Sequence, residues 1–237
     1  MSEWKLKRFW KSETVSDVQD GFTVLLDGRG VRTPAKAQLV VPTRALAEAI
    51  AAEWAAQEGE VDPAAMPFTR SANAAIDKVR VQQAEVADML ADYADSDLLC
   101  YRAEGPDDLV ARQALVWGPY LDWAAEALDA RLTPVPGVMH APQDAGALKR
   151  LRALTHKQSH FELAAFHDLV SLSGSIILAF AAVHAFADAD AIWDASRLDE
   201  IWQIEQWGSD EDAIDVAERK KAAFLHANSF WSASRNK

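Results

Sequence analysis

The chain has 237 residues; half are hydrophobic and a quarter are charged, as in an ordinary globular protein with material for one large core or two modest ones. Its formal net charge of −12 argues against nucleic acid as a partner, because the phosphates would be repelled by this surface. The single cysteine, Cys100, excludes an intrachain disulfide and is compatible with a reducing compartment.

The N-terminal segment MSEWKLKRFWKSET combines basic residues with Glu3 and Glu13 and contains no apolar run. It therefore does not resemble a secretory signal or a transit peptide. We expect a bacterial cytoplasmic protein, or a protein of the mitochondrial matrix if the chain is a processed organellar one.

Residues 4–42 favour β structure. The candidate strands are 7–11, 14–18, 22–26 and 38–41, and the sequence Asp27-Gly28-Arg29-Gly30 predicts an Asp-Gly turn between two of them. A phosphate-binding loop at Gly28-x-Gly30 is disfavoured, because no helix follows and a third glycine is missing. We therefore predict a small antiparallel sheet of hairpins.

The chain then becomes helical. Thr43 is a suitable N-cap for a helix that ends near residue 58, and Leu46, Ile50 and Trp54 form its apolar stripe. A proline-punctuated loop at 62–68 marks a boundary. We predict two domains: residues 1–65, a β-rich domain with one helix, and residues 66–237, an all-helical domain.

Further helices are predicted at 69–93, 107–128, 144–158, 189–206 and 210–230, with a loop at 133–142 and an ambiguous apolar run at 97–103. Pro119 should kink or split the helix 107–128. The side chains expected to face inward on that helix are Leu109, Ala114, Trp117, Leu121 and Leu128.

Residues 161–187 form the most apolar stretch, and no charged residue occurs from 169 to 187. That length approaches a membrane span, but serines and His184 lower the hydrophobicity of the run. Asp168 and Asp188 flank it, and no basic residue is adjacent. We predict no membrane insertion. The stretch is interpreted as the buried central helix, or broken helix pair, of an α+β protein whose small antiparallel sheet precedes a multi-helical array.

The strongest candidate for a metal site is His156-x3-His160, with His167 further along. The pair lacks the glutamate of H-E-x-x-H, and the alternative is that these histidines cap or pack on helices. A metal-dependent hydrolase using His156, His160 and a carboxylate is therefore the alternative function. Cys100 lacks an activating motif and is interpreted as a buried, inert thiol.

Acidic residues are concentrated in residues 188–218, which contain eleven of them against the single Arg197. Large apolar side chains alternate closely with these acids, namely Ile201, Trp202, Ile204 and Trp207. A tryptophan exposed beside acidic groups is typical of a protein-binding surface rather than of a merely solvated face.

Six segments, in order along the chain, resemble an F1-ATPase assembly chaperone family that binds the α subunit and has mitochondrial and bacterial members. They are FTVLLDGRGVRTPAK, AEAIAAEWAAQ, MPFTRSANAAIDKV, DLLCYRA, HDLVSLSGS and IWQIEQWGSDED. The resemblance extends from about Phe9 to about Asp215 and implies a β-rich N-terminal part followed by a helical part. The long N-terminal extension expected of mitochondrial members is missing, which favours a bacterial source.

The resemblance also implies a function without catalysis, cofactor or nucleotide. Members hold the free α subunit of F1-ATPase and cover a surface that is later buried against the β subunit. The C-terminal motif falls on Asp199, Glu200, Glu205, Trp207, Gly208 and Asp210. We predict that Asp199, Glu200, Glu205, Trp207 and Asp210 contact the partner, that no metal is bound and that the protein is monomeric.

Trp54 and Arg29 also lie within the family segments. For Trp54 we expect packing in the first helix, and Arg29 could equally be solvated.

Overall fold

A computed structural model of the chain describes residues 7–208 and 211–235. It confirms the α+β fold class, with a small antiparallel sheet before a helical array. The strands are β1 (Glu13–Val18), β2 (Gly21–Leu26), β3 (Arg29–Gly30), β4 (Val40–Val41), β5 (Tyr101–Arg102) and β6 (Val135–Pro136). The α-helices are α1 (Arg44–Ala55), α2 (Pro67–Asp77), α3 (Gln83–Ala91), α4 (Asp107–Ala127), α5 (Ala145–Thr155), α6 (His160–Ser173), α7 (Ile176–Val183), α8 (Ala189–Ser196), α9 (Leu198–Trp207) and α10 (Glu211–Ala233).

The chain divides into two compact units. The first comprises Met1–Gln83, Ser159–Ala165 and Ser229–Lys237, and the second comprises Ala84–Gln158 and Phe166–Asn228. The predicted domains are residues 1–65, β-rich with one helix, and residues 66–237, all-helical. That predicted boundary stays a prediction.

In the first unit, β2 is the central strand and pairs antiparallel with β1, β3 and β4. The predicted Asp-Gly turn is confirmed: Leu26 pairs with Arg29, and Asp27 and Gly28 have φ angles of +47° and +80°. Positive φ at both central residues matches the twist of a tight hairpin. Arg29 follows the turn and is exposed.

The predicted strand at 7–11 is wrong, because the segment is fixed by side chains rather than by a ladder of hydrogen bonds. Arg8 donates from Nη1 to the carbonyl oxygens of Ala55 (2.7 Å) and Gln57 (2.5 Å). These bonds satisfy carbonyls at the end of α1, which stops at Ala55 rather than near 58. Trp10 is buried and packs edge-on against Trp54 at 5.1 Å between ring centroids, so the packing role of Trp54 is confirmed.

The start of α1 is as predicted. The Thr43 hydroxyl accepts a hydrogen bond from the amide of Leu46 at 3.1 Å, and Leu46 and Ile50 are buried. The next helix, α2, is capped from a distance by the Glu53 carboxylate. It accepts from the amide of Phe68 (2.6 Å) and from the amide and hydroxyl of Thr69 (2.8 and 2.7 Å).

Two predicted helices are interrupted. The helix expected at 69–93 is α2, a 3-10 turn from Val79 to Gln82, α3 and a second 3-10 turn. The helix expected at 189–206 breaks at Arg197 into α8 and α9. At the end of α8, the carbonyl of Ala195 has a partner outside the helix: the indole of Trp117 donates a hydrogen bond to its oxygen at 2.8 Å. Partners of this kind let a helix end without a local stop signal.

Helix α4 is continuous through Pro119, so the split, one of the two outcomes expected at this proline, does not occur. Trp117, Leu121 and Leu128 face inward as predicted, but Ala114 is exposed and its neighbour Gln113 is buried instead. Gln113 is buried because its side chain makes hydrogen bonds, described below, to groups in the interior.

The central run is a broken helix pair, α6 and α7, as one of the two interpretations predicted. Gly174 forms the break with φ +70°, a conformation that costs a residue with a Cβ. Every residue from Ile176 to Ala182 is buried. In the part of the chain that the structure describes, no helix combines the length and apolar character needed to cross a membrane.

The start of α7 rests on a buried carboxylate, Asp97, in the second unit. Asp97 has no exposed surface and accepts from the Ser175 hydroxyl (2.8 and 2.9 Å), the Leu99 amide (3.0 Å) and the Ile177 amide (3.1 Å). Burial raises the pKa of Asp97 to about 6, although these hydrogen bonds favour the ionised form and oppose the shift. The segments DLLCYRA and HDLVSLSGS therefore meet at this residue.

Candidate partner-binding surface

Helix α9 carries four of the five predicted contact residues. It begins after Arg197, with Asp199 and Glu200 in its first turn, where negative charge favours the positive end of the helix dipole. It ends at Gly208, whose amide donates to the Ile204 carbonyl at 2.8 Å. The fifth residue, Asp210, lies outside the described residues.

Asp199 is half-buried and faces α4. Its carboxylate accepts a hydrogen bond from Nε2 of Gln113 at 2.7 Å. Gln113 is 1% exposed, and its own Oε1 accepts from the amide of Ala103 at 2.8 Å. Arg102 donates to the Gln113 carbonyl at 2.5 Å, and its positive charge lies near Asp199. Asp199 is therefore part of a polar network that holds α9 on α4.

Glu205 also has an internal partner on α4. Its two carboxylate oxygens accept from the guanidinium of Arg112 at 2.5 and 3.0 Å, a bidentate pair. The hydrogen bond from Arg112 lowers the pKa of Glu205, and the same bond raises the pKa of Arg112. Because the pair lies at the surface, a cation of a partner could compete for Glu205.

The opposite side of α9 points outward. Glu200, Ile204 and Trp207 are spaced four and three residues apart, which places them on one side of the helix. We call these three residues the outer α9 face. Trp207 is 79% exposed and Ile204 is 46% exposed, whereas Glu200 forms a surface ion pair with Arg197 at 2.8 Å. An aromatic side chain that keeps this much surface in water is an anchor available to a partner.

The first turns of α10 extend the exposed apolar surface along the chain. Ile214 is 44% exposed and Val216 is 41% exposed, and nearly every described side chain from 212 to 220 is exposed. Sequence reasoning did not select these two residues, nor Arg112 and Gln113. The apolar-acidic alternation that identified α9 continues through 214–216 and could have found the first pair. Nothing local could have identified the second pair.

Internal contacts account for several family segments without a partner. Thr33 donates to Asp77 at 2.7 Å, which joins the first segment to the third. Glu53 joins the second to the third, and Asp97 joins the fourth to the fifth, as described above. The sixth segment differs because it includes Ile204 and Trp207, which the fold leaves exposed. Those two side chains are large apolar groups that the packing of the described residues leaves in contact with water.

The premise of the metal hypothesis is wrong. His156 caps the end of α5 and His160 begins α6, so the two do not lie on one turn of a common helix. His156 contacts Asp88 at 2.8 Å, His160 packs against the ring of Phe161, and His167 contacts Asp168 at 3.0 Å. Within residues 7–208 and 211–235, no group of three or more His, Cys, Asp or Glu side chains could hold a metal ion.

The thiol is placed as predicted. Cys100 is 1% exposed, and burial raises the pKa of its thiol to about 12. A thiol with so high a pKa is protonated at neutral pH and is a poor nucleophile.

The fold and the outer α9 face together define a mostly helical α+β protein with an exposed surface suited to protein binding. The comparisons place the chain within that class. The model of the family described as ATP12 chaperone protein matches residues 7–125, and the chain belongs to this family.

Solved structures and a curated relative that are similar to this chain are also Atp12 proteins. The crystal structure of Atp12 from Paracoccus denitrificans is 48% identical and matches with a TM-score of 0.96 over 98% of this chain and 100% of that one. An aspartate-to-lysine mutant of P. denitrificans Atp12p is 47% identical, with a TM-score of 0.96 over 99% and 100%. A mitochondrial atp12 protein of Schizosaccharomyces pombe is 27% identical over 89% of this chain and 76% of its own length.

Proposed function

We propose that the chain is an assembly chaperone that binds the free α subunit of F1-ATPase and prevents its aggregation until the β subunit takes its place. Membership of the ATP12 family supports a chaperone role in F1-ATPase assembly. The choice of the α subunit rests on the resemblance of the six segments. The role is that of a binding protein, without catalysis, and we propose the bacterial cytoplasm as its location.

One observation carries the proposed site: Trp207 is 79% exposed at the end of an acidic helix. Burying a side chain of this kind in a partner's pocket contributes strongly to binding, and the surrounding acids favour a partner with basic groups. A surface that mixes apolar and charged groups suits a client that must later leave, because a fully hydrophobic interface is typical of permanent complexes.

The structure sharpens the roles proposed for the acids. Trp207 and Glu200 lie on the outer α9 face, where a partner can reach both. Asp199 is a positioning residue, because it holds α9 on α4 through Gln113. Glu205 can both hold α9 on α4 and contact a partner, since its pair with Arg112 is exposed to solvent.

The test is co-expression of the full chain with its host's α or β subunit, followed by pull-down and measurement of soluble α. We expect α alone to be retained and kept soluble. Trp207→Ala should lower retention by about tenfold, the effect of truncating an interface anchor. Val81→Ala is the matched control, because Val81 is an equally exposed apolar side chain at 74% in the first unit.

Two charge variants separate contact from positioning at Glu205. Glu205→Lys removes the carboxylate and should lower retention of α. Arg112→Ala leaves the carboxylate in place but removes the pair that helps to hold α9 on α4, so it should lower retention less than Glu205→Lys does. Equal retention of α and β by the unaltered chain would refute the choice of client, and full retention by Trp207→Ala would refute the site.

A further inference from the structure

A second exposed surface lies on α4, the helix that supports α9. Ala111, Leu115, Gly118 and Asp122 follow one another at intervals of four, three and four residues, so they share one side of the helix. We call these residues the outer α4 face. Leu115 is 77% exposed and lies in the middle of a 21-residue helix.

Gly118 and Pro119 make this face unusual. They are the two residues least favourable to a helix interior, and they stand together in the middle of α4. A Cβ at Gly118 would meet no atom within 4 Å beyond its chain neighbours, and Pro119 is exposed. The missing Cβ does avoid a clash with the following proline ring. No neighbouring side chain therefore requires the glycine, and no Cβ stands beside Leu115 at the position three residues further along the helix.

The charge around the face indicates the chemistry of what would cover it. Helix α4 contains four acids, Asp107, Asp108, Asp122 and Glu126, and all four are exposed. Its one basic residue, Arg112, is already paired with Glu205. The neighbouring helix α9 adds three acids and no base. Asp108 and Asp122 lie seven residues before and seven residues after Leu115, two helical turns away on the same side of α4. An exposed leucine with acids on both sides complements a partner segment whose apolar side chains are flanked by lysine or arginine.

We propose that the outer α4 face is a second contact surface for the client, and that it binds a segment of α-subunit chain with apolar side chains between basic ones. The proposal rests on the proposed function. The face lies on the helix that supports the candidate site, because α9 is held on α4 by the pairs Arg112–Glu205 and Gln113–Asp199. Gly118 lets the client backbone approach α4 closely, and Leu115 enters the client's apolar surface.

The test uses the full chain co-expressed with the host α subunit. Leu115→Asp should lower the amount of soluble α retained per chain by about tenfold, as expected for the centre of an interface. Val138→Asp is the matched control, because Val138 is a 90% exposed apolar side chain of the same unit, outside α4 and α9. It should retain α as the unaltered chain does, and both variants should keep the unaltered melting temperature.

Two substitutions of Asp122 test whether the client segment is basic. Asp122→Lys should weaken retention more than the neutral Asp122→Asn does, and raising the salt concentration should narrow the difference. Equal retention by the two variants would overturn the basic character of the client segment.

Three further results would overturn the proposal in distinguishable ways. If Leu115→Asp retains α fully while Trp207→Ala loses it, the outer α4 face is not a contact and the proposed function stands. If the unaltered chain does not retain α, the proposed function itself fails. If the chain alone sediments as a dimer and Leu115→Asp sediments as a monomer, the face binds a second copy of the chain instead.

Discussion

The pH dependence of stability tests the buried carboxylate at the start of α7. Asp97 has a raised pKa of about 6 in the folded protein against 3.8 for an unperturbed aspartate. Between these two values the folded state holds a proton that the unfolded state has released. The stabilising contribution of Asp97 is therefore fully present below pH 3.8 and is lost as the pH rises through about 6.

The size of the effect follows from the same two values. A difference of this size between folded and unfolded pKa corresponds to about 3 kcal/mol over the full range, and about 1 kcal/mol of it lies between pH 7 and pH 5. Other groups titrate over the same range, so the comparison must be made with Asp97→Asn, which cannot titrate there. The Asn amide nitrogen cannot accept a hydrogen bond from a buried amide, which costs about 1–3 kcal/mol independently of pH.

Urea unfolding of the unaltered chain and of Asp97→Asn at several pH values measures the difference. As the pH falls from 7 to 5, the unaltered chain should gain about 1 kcal/mol relative to the variant. Asp20→Asn, the same change at an exposed turn, is the control for the chemistry of the substitution. Parallel curves for the unaltered chain and Asp97→Asn would refute the raised pKa, and so would a relative loss of stability towards pH 5.

Three other predictions follow from particular contacts. Glu53→Gln leaves one amide at the start of α2 without its acceptor and should lower the free energy of unfolding by about 1–2 kcal/mol, whereas Glu48→Gln on the exposed side of α1 should change it by less than about 0.5 kcal/mol. Gly174→Ala should cost about 1–2 kcal/mol from backbone strain alone, because its Cβ would lie 3.9 Å from the Leu98 Cβ without a clash; an unchanged melting temperature would contradict this. Binding of α should weaken as salt rises from about 0.05 to 0.5 M, and an affinity indifferent to salt would mean that the acids of α9 do not contact the client.

Elements with local signals were predictable from the sequence. Thr43 caps its helix with its own hydroxyl, and the Asp27-Gly28 turn requires the positive φ angles that these residue types tolerate. The break at Gly174 follows from a glycine between two serines. In each case the residue that determines the structure lies within the segment it shapes, so the pattern carries the information.

Elements fixed by distant partners were not predictable. The break between α8 and α9 depends on Trp117, far along the chain, whose indole satisfies a carbonyl that a continuous helix would use. The candidate site shows the same limit. Composition selected α9 correctly as an exposed acidic and aromatic helix, but Asp199 and Glu205 pair with residues 86 and 93 positions away. Those partners lie on α4, and no pattern within α9 reveals them.

The most direct test of the account measures aggregation of the client. Purified α subunit is diluted from denaturant with and without an equimolar amount of the full chain, light scattering is followed, and β subunit is added afterwards. The account predicts that the chain suppresses scattering of α but not of β, that Trp207→Ala does so poorly, and that β displaces the chain from α. Equal suppression for α and β, or full suppression by Trp207→Ala, would contradict it.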